Sequence, residues 1–295
     1  MKVSICYLIV IAIWSTTPLG IVWSSESVSP TMAVMLRMII AAILGTAILV
    51  IFRIKLPISN TAFRLYGYST LGLFGGMSCG YMASTYVTSG FMSLVFGLSP
   101  IFTGLLARKI LNEPAFDSSK KLAMVVCLAG LSVVCWDKLS LSGDSYIGIL
   151  LLLVAMFFFS LSGVLVKSVN ISIHPLATTL GTLYCSLPLF FIAWLITDGQ
   201  FNAHQWSVRS LASIAYLGIF GSLIGLIAYF FVLQRLATST VALSTLITPS
   251  FAIALGAIFN NEQISHQLVM GALLITLGLG IYFWGKRFSL QRIKL

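Results

Sequence analysis

The stretch FMSLVFGLSPIFTGLLARKILNEP occupies residues 91–114, and the stretch VALSTLITPSFAIALGAIFNNEQ occupies residues 241–263. Each contains a proline followed thirteen residues later by a glutamate: Pro100 and Glu113 in the first, Pro249 and Glu262 in the second. The two pairs are 149 residues apart, and LGLFG at 71–75 recurs as LGIFG at 217–221. The chain therefore repeats itself at about half of its length.

The composition places this repeated chain in lipid. Of its 295 residues, 59% are hydrophobic and only 8% are charged, which leaves too little polar surface to cover a soluble core. The formal net charge is +10, but the basic residues lie between long apolar runs, so we expect no nucleic-acid partner. The five cysteines also lie in apolar runs without metal-ligand spacing, and we interpret them as small buried side chains.

Ten apolar segments can be drawn, each close to the roughly 20 residues that a helix needs to span a bilayer. They cover residues 3–23, 31–52, 65–86, 89–111, 122–136, 146–166, 175–197, 208–233, 239–259 and 267–284. If the N-terminus is cytoplasmic and the sides alternate, fourteen of the seventeen basic residues fall on the cytoplasmic side. The sequence thus predicts a multi-pass protein of the bacterial inner membrane with both termini in the cytoplasm.

The two halves are predicted to have opposite orientations. Residues 1–137 hold five helices and residues 138–295 hold the other five, followed by a short basic tail. Because five is an odd number, the second copy enters the membrane in the opposite sense to the first. The predicted fold class is an all-α integral membrane protein of ten transmembrane helices in two inverted five-helix repeats, which is typical of secondary transporters.

The repeated stretches also resemble a known family. Residues 91–114 and 241–263 look like the paired EamA domains of the drug/metabolite transporter superfamily, as do AIWS at 12–15 and Pro30 with residues 37–41. The resemblance implies a secondary transporter, an exporter of amino acids or related metabolites, with a central path between helices one, three, four, six, eight and nine. A non-transporting membrane receptor or assembly subunit is the alternative, although it would not need two inverted copies of a kinked helix.

Aromatic and hydroxyl side chains near the middle of these helices are the candidate substrate-binding residues. Rings can cover the apolar parts of a small amphipathic solute while hydroxyls replace water on its polar parts. Each of these residues could equally be a lipid-facing or interhelical packing residue. The candidates are Trp14, Tyr81, Phe96, Ser99, Phe159, Ser162, Tyr229, Thr245 and Thr248.

Five further residues are candidates for gating or structural roles. Arg37 lies within the second apolar segment, where it is predicted to contact a substrate carboxylate or a gating partner, or else to bond to backbone carbonyls or reach the surface. Pro100 and Pro249 each remove a backbone donor, which predicts either a hinge or a static kink. Glu113 and Glu262 lie at helix ends, so an ordering role in loops is favoured over a deep proton relay.

The sequence contains no pattern of an enzyme. No HExxH motif, no Walker A motif and no Cys or His cluster with ligand spacing occurs in it. We expect no catalytic residue, no bound metal and no cofactor. The expected partners are a small-molecule substrate and the lipid bilayer, while the sequence leaves the oligomeric state open.

Overall fold

The chain folds into helices joined by short loops. The computed structural model describes residues 3–113, 116–141, 145–236, 241 and 244–291, and no strand occurs within those ranges. The α-helices are α1 (Val3–Ser24), α2 (Pro30–Ile51), α3 (Asn60–Thr70), α4 (Met77–Ala83), α5 (Ser89–Phe96), α6 (Ser99–Ile110), α7 (Ser118–Leu141), α8 (Ser145–Ser168), α9 (Pro175–Thr197), α10 (Val208–Tyr216), α11 (Gly225–Arg235), α12 (Ser244–Asn260) and α13 (His266–Gln291).

Eight helical stretches can cross a bilayer, and two of them comprise consecutive helices. In the described part of the chain, the stretches that are long and apolar enough are Val3–Ser24, Pro30–Ile51, Ser89–Ile110, Ser118–Cys135, Ser145–Ser168, Pro175–Thr197, Val208–Arg235 and His266–Phe283. They coincide with eight of the ten predicted segments. The predicted segment 239–259 corresponds to a shorter apolar helix, Ile247–Asn260. The predicted segment 65–86 is also helical, but it is rich in glycine, tyrosine and serine, which makes it less apolar. The protein is an all-helical, multi-pass membrane protein, and the number ten stays a prediction.

Two helices change their hydrogen-bonding pattern halfway along. A π-helical segment at Leu71–Gly76, here called π1, joins α3 to α4, and another at Leu217–Ile224, here called π2, joins α10 to α11. Both begin at the LGxFG stretches found in the sequence. The entry to each is also alike, because Ser59 caps α3 by accepting from the Ala62 N–H and Ser207 caps α10 by accepting from the Ser210 N–H.

Pro100 and Pro249, which correspond in the repeat, lie in two different local structures. The helix of the fourth predicted segment is interrupted between α5 and α6, where the Leu98 N–H donates to the Val95 carbonyl at 3.0 Å, three residues back. Pro100 follows directly, in the first turn of α6, where a missing N–H costs little. Pro249 instead lies inside α12. The α-helix is therefore interrupted in front of Pro100, while it continues through Pro249.

Helices of the first half of the chain pack against helices of the second half. α2 packs along α9 and against π2, and α9 also packs against α3. α1 packs against α11 and α12, while α8 packs against π1, α4 and α6. α7 lies along α13. The elements that bear the two LGxFG stretches are thus surrounded by α1, α2, α8 and α9, and the space between them is the central cavity.

Candidate functional site

A cavity of about 220 Å³ lies in the centre of the helix bundle. Its wall is formed by residues of α1, α2, α3, π1, α4, α5, α6, α8, α9, π2, α11 and α12, so both halves of the chain contribute. Most of the wall is apolar, with single hydroxyl groups spread among the rings and aliphatic side chains. Such a wall is typical of sites that bind a small, partly apolar molecule.

Seven of the nine predicted substrate-binding residues line this cavity: Trp14, Phe96, Ser99, Phe159, Ser162, Tyr229 and Thr248. Tyr81 is not among the lining residues, because its side chain is fully buried behind the wall. The side chain of Thr245 lies outside the part of the chain that the structure describes. Of the predicted gating residues, Arg37 lines the cavity.

Two pairs of aromatic rings shape the wall. The rings of Trp14 on α1 and Tyr229 on α11 have centroids 5.7 Å apart and are tilted by 39°. The rings of Phe96 on α5 and Phe159 on α8 have centroids 5.8 Å apart and meet edge to face. Rings held in this way present both faces and edges to a solute. These rings can therefore bind a flat or branched apolar group of a solute, and this contact needs no charged side chain.

Two of the hydroxyl groups of the wall are only weakly engaged. The Ser162 hydroxyl donates to the Ser69 carbonyl at 3.4 Å, and the Ser160 hydroxyl donates to the Ser99 carbonyl at 3.5 Å. Both distances are well above the usual 2.7–2.8 Å for such bonds. These hydroxyls can therefore turn toward a polar group of a solute at little cost.

Arg37 is held by hydroxyl groups from two distant parts of the chain. Its Nε donates to the Ser222 hydroxyl of π2 at 2.9 Å, and its Nη1 donates to the Tyr81 hydroxyl of α4 at 3.2 Å. The guanidinium carbon also lies 5.7 Å from the centroid of the Tyr81 ring. The side chain has 0% exposure, so it does not reach the surface. Arg37 thereby joins α2, α4 and π2.

Ser222 is a member of this site that sequence reasoning missed. It follows the second LGxFG stretch directly, and its hydroxyl is fully enclosed with the guanidinium. Gly221 beside it also lines the cavity, and a Cβ at that position would lie 2.7 Å from the Nη2 atom of Arg37. The repeated LGxFG stretch was a signal in the sequence for this part of the site, because its last glycine lets the backbone lie close to another group.

Glu262 ties the loop after α12 to the beginning of α5. Its carboxylate accepts from the Ser89 N–H at 3.1 Å, the Ser89 hydroxyl at 2.7 Å and the Gly90 N–H at 3.2 Å. Backbone N–H groups at the beginning of a helix are free donors and favour a negative charge. We call this arrangement the Glu262 clamp, and it holds α5 against the end of α12.

Glu113, the repeat partner of Glu262, lies in a backbone turn of the same form. Asn112 and Asn261, which precede the two glutamates, have left-handed φ angles of 52° and 49°. The Glu113 N–H donates to the Ala107 carbonyl at 3.5 Å, as the Glu262 N–H does to the Gly256 carbonyl at 3.1 Å. The Glu113 side chain is exposed, and residues 238 and 239, which correspond to Ser89 and Gly90 at the offset of 149, lie outside the described ranges. The two glutamates therefore follow backbone turns of the same form.

The end of the bundle that holds the Glu262 clamp carries further bonds between the two halves. The Trp23 indole donates to the Asn260 side-chain oxygen at 3.0 Å, and the Arg209 guanidinium lies 4.6 Å from the Trp23 ring. Arg209 also pairs with Glu26 at 3.4 Å. This end is thus closed by a network that includes the clamp.

The cavity and its surroundings define a class of protein. A multi-pass helical bundle with a partly polar cavity formed by both halves of the chain has the architecture of a membrane solute transporter. Among the described residues, no group of three His, Cys, Asp or Glu side chains is arranged to hold a metal ion. The fold and the cavity therefore indicate a membrane transporter.

Comparison with known proteins names the family. The chain belongs to the EamA-like transporter family, whose sequence profile matches residues 1–136 and again residues 146–284. It is 25% identical to the uncharacterized transporter YoaV of Bacillus subtilis, over 95% of this chain and 96% of YoaV. It is 26% identical to a probable amino-acid metabolite efflux pump of Escherichia coli, over 97% of this chain and 96% of the pump. A crystal structure with 18% identity superposes with a TM-score of 0.67 over 95% of this chain and 96% of that one, which shows the shared fold.

Proposed function

We propose that this protein is a secondary transporter that exports a small amphipathic metabolite, an amino acid or a related compound, by alternating access between two inverted repeats. The observation that carries the proposal is the partly polar cavity to which both halves of the chain contribute. At one end of the bundle, the halves are also joined by the Glu262 clamp and by the bond from Trp23 to Asn260. A site between two repeats, with contacts between the halves that can be made and released, is what alternating access requires.

The packing of the helices supports two inverted repeats of five helices, residues 1–137 and 138–295. Exchanging the two halves converts the contact of α1 with α12 into that of α8 with α6, and the contact of α2 with π2 into that of α9 with π1. The pairs α2 with α9 and α7 with α13 convert into themselves. This correspondence favours a count of ten transmembrane helices, with α3, π1 and α4 as the third and α12 as the ninth.

The distribution of charge favours one orientation. With both termini in the cytoplasm of a bacterial inner membrane, fourteen of the seventeen basic residues lie on the cytoplasmic side. The Glu262 clamp then lies on the outer side, and the structure corresponds to a state closed toward the outside. Opening the outer side would require the release of the clamp.

The cavity and one relative support the substrate class. A cavity of about 220 Å³ is smaller than the roughly 300–1,000 Å³ of sites for drug-sized ligands, so it suits a small metabolite. The Escherichia coli relative is named as a probable amino-acid metabolite efflux pump. Aromatic pairs and loosely bonded hydroxyls match a solute with both an apolar and a polar part.

Flux through purified protein tests the proposal. The full chain is reconstituted into liposomes that are loaded in turn with each of the common amino acids, and the release of labelled solute is measured against protein-free liposomes. We expect one chemical group of amino acids to leave faster through the protein. A receptor or assembly subunit would release none of them, and that result in correctly folded protein would reject the transport function.

A further inference from the structure

The charge of Arg37 is not neutralised by the groups that hold it. Both of its hydrogen-bond acceptors, the hydroxyls of Ser222 and Tyr81, are neutral. The third guanidinium nitrogen, Nη2, is buried without a hydrogen-bond partner in the part of the chain that the structure describes. A guanidinium has five N–H donors, and a buried donor without an acceptor is unfavourable. The site therefore has donor capacity to spare for an acceptor that is not part of the described chain.

No carboxylate lies among the described residues of the cavity wall around Arg37. Of the described residues that line the cavity, Arg37 is the one charged side chain, and none is Asp or Glu. The ion pair found in the described ranges joins Arg209 to Glu26, and both of these side chains are partly exposed to solvent. A cation without a counter-ion in an apolar wall gives the cavity a positive potential. The cavity should therefore attract anions and repel cations.

Two uncommitted donors belong to the same cavity wall. Nη2 lies beside Gly221, where the lack of a side chain leaves room that a Cβ would fill at 2.7 Å. The hydroxyl of Ser69, another residue of the wall, is buried and has no hydrogen-bond partner in the described ranges. Arginine N–H groups and hydroxyls are the donors that proteins use to bind carboxylates.

We propose that Arg37 is the residue that recognises a carboxylate of the transported solute, with Nη2 donating to a carboxylate oxygen while the apolar part of the solute lies against Trp14 and Tyr229. This inference rests on the proposed transport function. It narrows the substrate class to amphipathic carboxylates, including amino acids, and it excludes neutral amides and amphipathic cations.

The first experiment measures the charge preference of the cavity without any transport. A thiol is introduced by Thr103→Cys at the cavity wall of the full-length protein, and reaction rates are measured with an anionic and a cationic methanethiosulfonate, sulfonatoethyl and trimethylammonioethyl. The protein without this substitution gives the background of the five native cysteines. Relative to a free thiol, we expect the anionic reagent to be favoured about tenfold or more, and Arg37→Gln to remove this preference. An unchanged preference in Arg37→Gln would overturn the proposal.

The second experiment measures recognition itself. The probes are L-phenylalanine and 3-phenylpropionate, each compared with its own amide, and the readout is protection of the introduced thiol from modification. We expect each acid to protect at a concentration at least about tenfold lower than its amide does, and Arg37→Gln to abolish the difference. Equal protection by acids and amides contradicts carboxylate recognition even if flux is observed. Protection by acids without any flux leaves the site in place and rejects transport.

Two further variants separate recognition from folding. Arg37→Lys keeps the positive charge but removes Nη2, so it should keep the preference for the anionic reagent and reduce the advantage of acid over amide. Arg64→Gln removes an exposed arginine that does not line the cavity, so it should keep both. Should Arg37→Gln fail to elute as a single species in gel filtration, Arg37→Lys decides: an undiminished advantage of acid over amide would overturn the assignment to Nη2.

Discussion

At the scale of single residues, Tyr229 and Tyr81 have the same side chain and different surroundings. Tyr229 lines the cavity, with its ring 5.7 Å from that of Trp14. Tyr81 is fully buried behind the wall, and its hydroxyl accepts a hydrogen bond from Arg37. A cavity-facing ring has few packing partners, whereas a buried ring has many. Removing the two rings should therefore affect two different properties.

Tyr229→Ala should reduce transport with little change in thermal stability, because the lost ring contacts a solute more than it contacts protein. Tyr81→Ala should lower the free energy of unfolding by roughly 3–5 kcal/mol, the range for buried aromatic side chains, and release one bond to Arg37. Flux in liposomes and melting temperature in detergent measure the two effects. Equal losses of melting temperature in both variants would show that Tyr229 is a packing residue.

At the scale of elements, the π1 segment is defined by a close contact with α8. A Cβ added at Gly72 would lie 2.7 Å from both the Cβ and the hydroxyl oxygen of Ser162, and a Cβ at Gly76 would lie 2.7 Å from the Phe159 ring. Because the Cβ of Ser162 is fixed by its own backbone, Gly72 has no room for a side chain unless the two helices move apart. The contact places Ser162 and Phe159 at the wall of the cavity.

Gly72→Ala should therefore destabilise the protein by roughly 1–3 kcal/mol, the usual range for overpacked sites. Gly67 in α3, five residues before Gly72, provides a matched control, since a Cβ there would meet no atom within 4 Å. Gly67→Ala should be neutral or stabilise by up to about 1 kcal/mol through its better helix propensity. Melting temperatures of both variants measure the difference, and a tolerated Gly72→Ala would argue against the close packing of π1 on α8.

At the scale of the whole molecule, the clamped end can be locked by a covalent bond. An ideal Cβ at Gly90 on α5 lies 3.6 Å from the Cβ of Ile253 on α12. This distance falls within the roughly 3.5–4.5 Å that a disulfide bond requires. The two helices belong to different halves of the chain, so a disulfide bond here holds the halves together at the end that carries the Glu262 clamp.

The double variant Gly90→Cys with Ile253→Cys should lose transport on oxidation and regain it on reduction, because the outer side can no longer open. Flux is measured before and after oxidation, and mass spectrometry confirms the disulfide bond. Each single variant serves as a control that oxidation should leave unaffected. Transport by the fully oxidised double variant at the rate of the reduced form would contradict alternating access at this end.

The sequence predicts the helical membrane fold and much of the cavity for physical reasons. Apolar runs of membrane length have few alternatives to a helix, because every backbone group must be bonded within lipid. Repeated stretches then indicate which helices correspond and so which helices surround the centre. Seven of the nine predicted residues, Ser99 and Thr248 among them, line the cavity wall. The direction in which a side chain points depends on the rotation of its helix, which an apolar helix does not reveal. Tyr81 therefore lies behind the wall rather than on it.

The partners of Arg37 and the π segments lie beyond such reasoning. Tyr81 and Ser222 are 44 and 185 residues away from Arg37 in the chain, so only the folded structure brings them together. The bonds of π1 differ from those of an α-helix by one residue in span, and a glycine-rich stretch suits both patterns. The Glu262 clamp likewise depends on a contact with Ser89, 173 residues away.

The π segments have a consequence for insertions and deletions in the gene. A π-helical hydrogen bond spans five residues instead of four, so π1 holds a residue more than an α-helix joining the same ends would hold. Deleting one residue from an ordinary transmembrane helix turns everything beyond it by about 100° and exposes the wrong face to lipid. Deleting one residue within Leu71–Gly76 or Leu217–Ile224 would instead allow the helix to close in the α form, with the flanking helices still facing as before. These two short segments are where the length of the chain can change inside the membrane.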